Sequence, residues 1–237
     1  MAPAAPKVLA LAPMRSELRP LVRALGAEPS RLGTLPVHVG RAGRAEVTVA
    51  LIGVGPDEAR AATGRLLDAA GFDHVVVSGI AGGIGPGGSV GDSVAPEAVE
   101  DLASGRRYTP APLGDRRPAG VLLTTAELIL DDDHIRSLVE RGVVALDMET
   151  SAVAEVCEAR GRPWSVFRVV SDRPEDGLLD HGVFELLESD GSVDVARALR
   201  YVARRPGRVR HLARLARDSG GAARRAAQEA AAACATL

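Results

Sequence analysis

A run of three valines, followed after Ser78 by a glycine-rich stretch, is the feature that most constrains the fold. Val75 to Val77 are apolar at every position, which is typical of a strand in the interior of a sheet covered by helices on both faces. The glycines between Gly79 and Gly91 let a ligand approach the backbone closely. They do not form a dinucleotide-binding fingerprint, since that motif opens a helix and residues 89–94 predict another extended segment. Alone, the stretch is equally typical of a tight connection.

Strand and helix patterns alternate along most of the chain. Apolar runs predict strands over residues 7–12, 37–40, 45–51, 75–77, 121–123, 143–146 and 164–170. The spacing of apolar residues predicts helices over residues 16–25, 57–70 and 149–160, and another after the aspartates at 131–133. Those aspartates favour a helix cap over a metal site with His134. The alternation predicts an α/β fold with a mixed, mostly parallel central sheet flanked by helices.

The C-terminal part of the chain differs in character. Ten arginines lie between Arg197 and Arg225 among leucines and valines, which predicts a basic, amphipathic helical tail. It is either a helix pair packed on the core with solvated arginines, or a contact to an anionic membrane surface. Because 237 residues fit one core, we predict a single α/β domain over 1–193. Residues 194–237 then form a helical extension packed on the same domain.

Charge, cysteine content and hydropathy limit the cell compartment and the partners. The net charge of -2 gives no general attraction to nucleic acid. No apolar stretch approaches the roughly 20 residues of a membrane span, and the apolar run over 8–13 is too short for a signal peptide. Two cysteines make a disulfide framework improbable. We expect a cytoplasmic protein, whose basic tail is a candidate contact to the inner membrane surface.

Two further apolar strands end in carboxylates. The strand over 143–146 leads to Asp147 and Glu149, and the strand over 164–170 leads to Asp172. Each carboxylate alone is consistent with a helix cap or a loop. Ligands collect at the carboxyl ends of strands in open α/β sheets. Three strands that bring glycines or carboxylates to one edge therefore predict an active site there.

The three motifs together resemble the nucleoside phosphorylase and nucleosidase superfamily, in particular the methylthioadenosine/S-adenosylhomocysteine nucleosidases. The resemblance runs from about Lys7 to about Asp176 and is carried by residues 12–17, Gly79–Gly83 with 90–92, Asp147–Glu149 with Ala152, and Arg168–Asp172. Residues 171–217 are similar to the hopanoid-associated branch, whose implied substrate is adenosylhopane. The expected reaction is cleavage of a purine N-glycosidic bond, in a homodimer and without a metal or cofactor.

The resemblance implies three catalytic residues. Asp172 would protonate or hydrogen-bond N7 of the purine, while Glu149 would grip the ribose hydroxyls and favour the oxocarbenium-like sugar. Glu17 would position and activate water, although a charge in the first helical turn is the alternative for it. The implied substrate-binding residues are Met148 against the sugar, Arg168 and Ser171 orienting Asp172, the backbone stretch Ile80, Ala81 and Gly82, and Glu127 with Leu128 at the base.

The nucleophile is water or phosphate. Related phosphorylases hold phosphate with an arginine and a serine, where this chain has Val77 and Ile80. Two apolar residues cannot neutralise an anion, so hydrolysis is favoured. Phosphate would be a co-substrate only if Arg15 or Arg41 supplied the charge. A phosphorylase and a methylthioadenosine/S-adenosylhomocysteine nucleosidase are the alternative enzymes.

Overall fold

The predicted strands lie in one mixed sheet of eleven strands. The structure is a computed structural model that describes residues 4–86, 88–174 and 209–237. The strands are β1 (Lys7–Ala12), β2 (Glu28–Leu32), β3 (Leu35–Ala42), β4 (Ala45–Leu51), β5 (His74–Gly83), β6 (Ser93–Val94), β7 (Ala98–Asp101), β8 (Arg107–Tyr108), β9 (Val121–Thr124), β10 (Val143–Asp147) and β11 (Trp164–Asp172). The helices are α1 (Arg15–Ala24), α2 (Pro56–Ala69), α3 (Asp132–Glu140), α4 (Thr150–Ala159) and α5 (Val209–Cys234).

The strand pairing confirms the predicted α/β class. Strands β4, β1, β5 and β11 are parallel neighbours, and β10, β9 and β7 form a second parallel group. Antiparallel pairs lie in the hairpins β2-β3-β4 and β7-β8, at the short β6, and where β10 meets the end of β5. The sheet thus contains two parallel groups, which meet at the antiparallel contact between β5 and β10.

Helices cover both faces of the sheet. Val75 and Val77 pack with residues of α2 and α4, whereas Val76, between them, packs with residues of α1 and α5. Every side chain of this part of β5 is therefore buried, which explains the uninterrupted apolar run in the sequence. Helix α3 packs against β9 and β10. Its N-cap is Asp131, which accepts the His134 N–H at 2.7 Å and so takes the predicted capping role.

The largest departure from the predicted elements is in β5. The sequence predicted a strand over 75–77 and glycines that connect it onward, yet β5 runs through the glycines to Gly83. Long-range pairing with β11 on one side and with β10 on the other supplies the hydrogen bonds. Within the extended segment predicted over 89–94, only Ser93–Val94 is a strand. Strands β2, β7 and β8 were not predicted.

Helix α5 ties the end of the chain to the strands that carry the site. Ala222 and Ala226 pack on Val169 of β11, with Ile80 of β5 beside them. Glu229 accepts a hydrogen bond from the Ser93 hydroxyl at 2.5 Å. The predicted boundary after residue 193, and most of the 171–217 motif, lie outside the described residues. Within the described ranges, no helix has the length and hydropathy needed to cross a membrane.

Candidate active site

One buried guanidinium joins three carboxylates beside the ends of the central strands. Arg168 of β11 is 1% exposed, and its Nη2 lies 2.6 Å from Asp147 Oδ2 and 3.0 Å from Glu149 Oε2. Its Nη1 lies 3.6 Å from Glu17 Oε1. Three acids surround one base, so the cluster has a formal charge of -2 when all four groups are ionised. Such a buried site favours a positive charge that develops next to it.

The carboxylate of Glu17 is held by backbone N–H groups from two elements. Oε1 accepts the Ile80 N–H at 2.8 Å, and Oε2 accepts the Met14 N–H at 2.8 Å, which caps the start of α1. The side chain therefore serves as a helix-capping group and also reaches β5. Both readings of Glu17 from the sequence, a first-turn charge and a site residue, are compatible with this geometry.

Glu149 is the N-cap of helix α4, and its side chain faces the loop before α2. Its Oε1 accepts the Gly55 N–H at 3.1 Å, and its Oε2 binds Arg168. Gly55 has φ +95° as the N-cap of α2, a conformation that favours glycine. Met148, between Asp147 and Glu149, is half-buried at the same strand end. The structure thus joins Glu17 and Glu149 through Arg168, and Met148 precedes Glu149 in the chain.

Burial and charge shift the pKa values in the cluster. Burial raises the pKa of Glu149 to about 7, helped by Asp147 and Glu17 and opposed by Arg168. Burial also raises the pKa of Glu17, against the lowering effects of Arg168 and of two backbone N–H groups. For Arg168, burial lowers the pKa, but the three carboxylates outweigh it and raise the pKa above its ordinary value. Arg168 therefore remains charged, while Glu149 can exchange a proton near neutral pH.

Asp172 lies at the end of β11, opposite the glycines of β5. It pairs in register with Gly82, three residues beyond Gly79, which pairs with Arg168. The three residues from Gly79 to Gly82 span about 10 Å along β5. The Ser171 hydroxyl is hydrogen-bonded to Asp172 Oδ1 and lies 3.4 Å from the Ala81 carbonyl oxygen. Asp172 and the Arg168 cluster therefore border neighbouring parts of one strand end.

Two predicted roles change in the structure. Arg168 was expected to orient Asp172, but its hydrogen bonds in the described residues go to the Ile80 carbonyl, Asp147, Glu149 and Thr150. Ser171 alone keeps the predicted orienting contact to Asp172. Ile80 acts through its backbone, because its N–H binds Glu17 and its carbonyl binds Arg168. Its side chain packs towards α5, which gives a physical reason for an apolar residue at this position.

The predicted base-binding and phosphate-binding positions are less closely tied to the cluster. Glu127 is exposed and Leu128 half-buried in the loop after β9. Val77 is fully buried in the core, so it offers no group to an anion. Arg15 and Arg41, the alternative sources of charge for phosphate, are exposed.

Asp147, Thr124 and Thr150 also belong to the site, although no role was predicted for them from the sequence. Asp147 Oδ1 accepts the Thr124 hydroxyl at 2.7 Å, and Oδ2 accepts the Thr150 N–H at 3.2 Å. The Thr150 hydroxyl binds the same oxygen. Their signal in the sequence was a carboxylate and a threonine at the ends of two apolar runs, a pattern that helix capping explains equally well.

Gly79 has no side chain, and the Glu17 and Arg168 side chains fill the space where one would lie. A Cβ atom built on Gly79 would overlap Glu17 Oε1 and lie 2.6 Å from Arg168 Nη1, whereas one on Gly82 would lie 3.7 Å from Asp172 Oδ2. Because overpacking a buried site is destabilising, we expect Gly79→Ala to lower the free energy of unfolding by about 1–3 kcal/mol. Gly82→Ala is the matched control and should unfold close to wild type. Urea unfolding curves measure both variants, and equal destabilisation by the two would contradict the crowding at Gly79.

Comparison with known proteins identifies related families. Residues 7–119 and 112–204 match the profile of the phosphorylase superfamily. A 5′-methylthioadenosine/S-adenosylhomocysteine nucleosidase from Chromohalobacter salexigens is 28% identical over 166 residues, and the match covers 57% of this chain and 70% of that protein.

Solved structures share the fold at lower identity. The Helicobacter pylori 5′-methylthioadenosine/S-adenosylhomocysteine nucleosidase superposes with a TM-score of 0.64 and 22% identity, covering 85% of this chain and all of the other. The Neisseria meningitidis nucleosidase gives 0.65 and 18%, covering 94% and 99%. The Helicobacter pylori futalosine hydrolase gives 0.60 and 21%, covering 70% and 89%. At these identities, the superpositions establish the shared fold.

Proposed function

Because the chain belongs to the phosphorylase superfamily, we propose that it is a purine nucleosidase that uses water to cleave the N-glycosidic bond of a 5′-substituted adenosine. The observation that carries the proposal is the buried Arg168 cluster of three carboxylates, beside Asp172 at the end of the same strand. Breaking this bond leaves negative charge on the base and positive charge on the ribose. Asp172 would neutralise the charge on the base, and the carboxylates around Arg168 would stabilise the charge on the ribose.

On the base side, Asp172 is the proposed general acid. Its carboxyl group would donate a proton to N7 of the purine as the bond to C1′ breaks, so that the base leaves as a neutral molecule. The Ser171 hydroxyl holds Oδ1 and fixes the plane of the carboxyl group. Gly82 lies opposite Asp172, and because it has no side chain the purine ring could approach the backbone closely there.

On the sugar side, Glu149 is the proposed stabiliser of the ribose. Its carboxylate would accept hydrogen bonds from the ribose hydroxyls, and its negative charge would stabilise the oxocarbenium-like transition state. Met148 lies next to it and would pack against the sugar ring. The excess of carboxylates over guanidinium groups in the cluster adds to the same electrostatic effect.

Water is the proposed nucleophile, and Glu17 its proposed base. Water oxygen would bond to C1′ on the face opposite the departing base, and one water proton would pass to Glu17. Phosphate fits the site poorly, because three carboxylates repel an anion and the Arg168 guanidinium is engaged by them. The apolar side chains of Val77 and Ile80 offer phosphate no hydrogen bond.

The proposed substrate is an adenosine with a large apolar 5′ group, such as adenosylhopane. This part of the proposal rests on the similarity of residues 171–217 to the hopanoid-associated branch. Methylthioadenosine or S-adenosylhomocysteine is the second candidate, because the relative from Chromohalobacter salexigens is named for these substrates. Both candidates yield free adenine, so the reaction is common to them and the 5′ group distinguishes them.

Chromatography of reactions run with and without phosphate tests the proposal. Adenosine, methylthioadenosine, S-adenosylhomocysteine and adenosylhopane are each incubated with the enzyme, and adenine is measured over time. We expect adenine and a free ribose derivative at equal rates in both buffers, with the highest kcat/KM for adenosylhopane. Product that forms only with phosphate, as a ribose 1-phosphate, would establish a phosphorylase. A higher kcat/KM for methylthioadenosine would favour the second candidate.

A further inference from the structure

Asp147 is the buried acid of the cluster to which the proposed reaction gives no task. It is 7% exposed, at the end of β10. Arg168 Nη2 donates to Asp147 at 2.6 Å and to Glu149 at 3.0 Å. Arg168 Nη2 is thus shared between Glu149, which would contact the ribose, and Asp147, which has no contact to the substrate in the proposed reaction. The shorter of the two distances belongs to Asp147.

Residues of two separate elements, β9 and α4, hold Asp147 in place. Thr124 at the end of β9 donates its hydroxyl to Oδ1, and Thr150 at the start of α4 donates both its N–H and its hydroxyl. The Thr124 hydroxyl in turn accepts the Ser151 N–H at 2.9 Å. Asp147 is therefore a fixed point from which Arg168 can be aimed, and fixed supporting groups of this kind set the geometry of catalytic residues.

We propose that Asp147 is a positioning residue for the glycosidic cleavage, which holds the Arg168 guanidinium where it meets Glu149 and Glu17 together. The inference rests on the proposed function. Without the Asp147 charge, Arg168 would move towards Glu149 and pair with it fully. Glu149 would then turn its oxygens towards the guanidinium and away from the ribose, and the stabilisation of the sugar cation would weaken.

The charges around Glu149 give this role a signature in the pH profile. Glu149 faces Arg168 from β11, Asp147 from β10, Glu17 from α1 and the Gly55 N–H before α2. Among these groups, Asp147 and Glu17 raise the pKa of Glu149, and Arg168 and the Gly55 N–H lower it. Loss of the Asp147 charge therefore lowers the pKa of Glu149. Because Glu149 must be ionised to stabilise the sugar cation, the acidic limb of the profile then moves to lower pH.

Asp147→Asn tests the inference, because asparagine keeps the size of the side chain and removes its charge. We expect kcat to fall about 10- to 100-fold while KM stays within about threefold, and the acidic limb of the kcat profile to move to lower pH. Asp101→Asn is the matched control. Asp101 accepts the Ser151 hydroxyl at 3.0 Å and so contacts the same turn of α4 without touching Arg168. Its kcat and its pH profile should be those of wild type.

Each other result has a distinct meaning. An Asp147→Asn protein with lower thermal stability, but with wild-type kcat and pH profile, would make Asp147 a helix cap only and overturn the inference. If Asp147→Asn does not fold, Thr124→Val removes the hydroxyl that holds Asp147 Oδ1 and keeps the Asp147 charge, so kcat should fall while the acidic limb stays in place, and Thr124→Ser should restore kcat. An unchanged kcat in Thr124→Val would equally overturn it. Failure of the proposed function is seen separately, as wild-type enzyme that releases no adenine.

Discussion

Asp172→Asn is expected to lower kcat for adenine release by about 10²- to 10⁴-fold, the scale for the loss of a general acid. Asparagine has the same shape, and its side-chain oxygen can still accept the hydrogen bond from the Ser171 hydroxyl that now reaches Asp172. The variant should therefore fold and bind substrate with a KM close to wild type. Steady-state rates of adenine release on the substrate that wild type prefers measure the effect.

A substrate analogue without N7 checks that the lost proton goes to the base. The 7-deaza analogue carries carbon at that position, so wild type should cleave it about 100-fold more slowly or worse. Asp172→Asn should then slow it little further, because both changes remove the same interaction. Asp68→Asn is the matched control, because Asp68 is an exposed carboxylate that pairs with Arg160 at 2.9 Å. This variant should retain full activity. A kcat for Asp172→Asn within about threefold of wild type would remove Asp172 from the mechanism.

The edge of the sheet that carries the site was predictable from the sequence. Apolar runs that lead to Glu149 and Asp172 are visible locally, and the carboxyl ends of strands are where ligands collect in such sheets. In the structure β11 runs parallel to β5, whereas β10 meets the end of β5 in an antiparallel pair. The opening motif with Glu17 adds the third carboxylate. Glu149 and Asp172 could be placed at that edge because each follows an apolar run, whereas Glu17 and the catalytic roles of all three came from the family resemblance.

The contacts within the site were not predictable in the same way. Whether Arg168 reaches Asp172 or Asp147 depends on the pairing of β11 and β10 with β5, which joins residues more than 60 positions apart. For the same reason, the glycines through Gly83 continue a strand, although locally they suggest a turn. The packing of the Ile80 side chain depends on α5, a helix that lies more than 100 residues later in the chain. Long-range packing decides these details, and local sequence does not encode it.

Arg168→Met is expected to have the largest effect on stability. Methionine fills a similar volume but leaves Glu17, Asp147 and Glu149 buried without their shared guanidinium. Removing one partner of a buried ion pair lowers the free energy of unfolding by about 3–5 kcal/mol, which is on the order of 10 °C in melting temperature for a chain of this length. Arg60→Met is the matched control. Arg60 also bridges two carboxylates, Asp57 and Glu155, but its side chain is 42% exposed, so the expected loss is below about 1 kcal/mol.

The pH dependence of the stability lost in Arg168→Met shows whether the loss comes from unpaired carboxylates or from poorer packing. Because Arg168 lowers the pKa values of Glu17 and Glu149 in the wild type, its removal raises both further above their values in the unfolded chain. A group with a raised pKa in the folded state contributes stability at low pH, and that contribution is lost as the pH rises through the folded pKa. Differential scanning fluorimetry from pH 5 to pH 8 should therefore show the melting temperature of Arg168→Met falling more steeply than that of wild type, whose own Glu149 contribution is lost as the pH rises through about 7. A deficit that stays constant across this range would mean that lost packing, and not charge, makes Arg168 important to the fold.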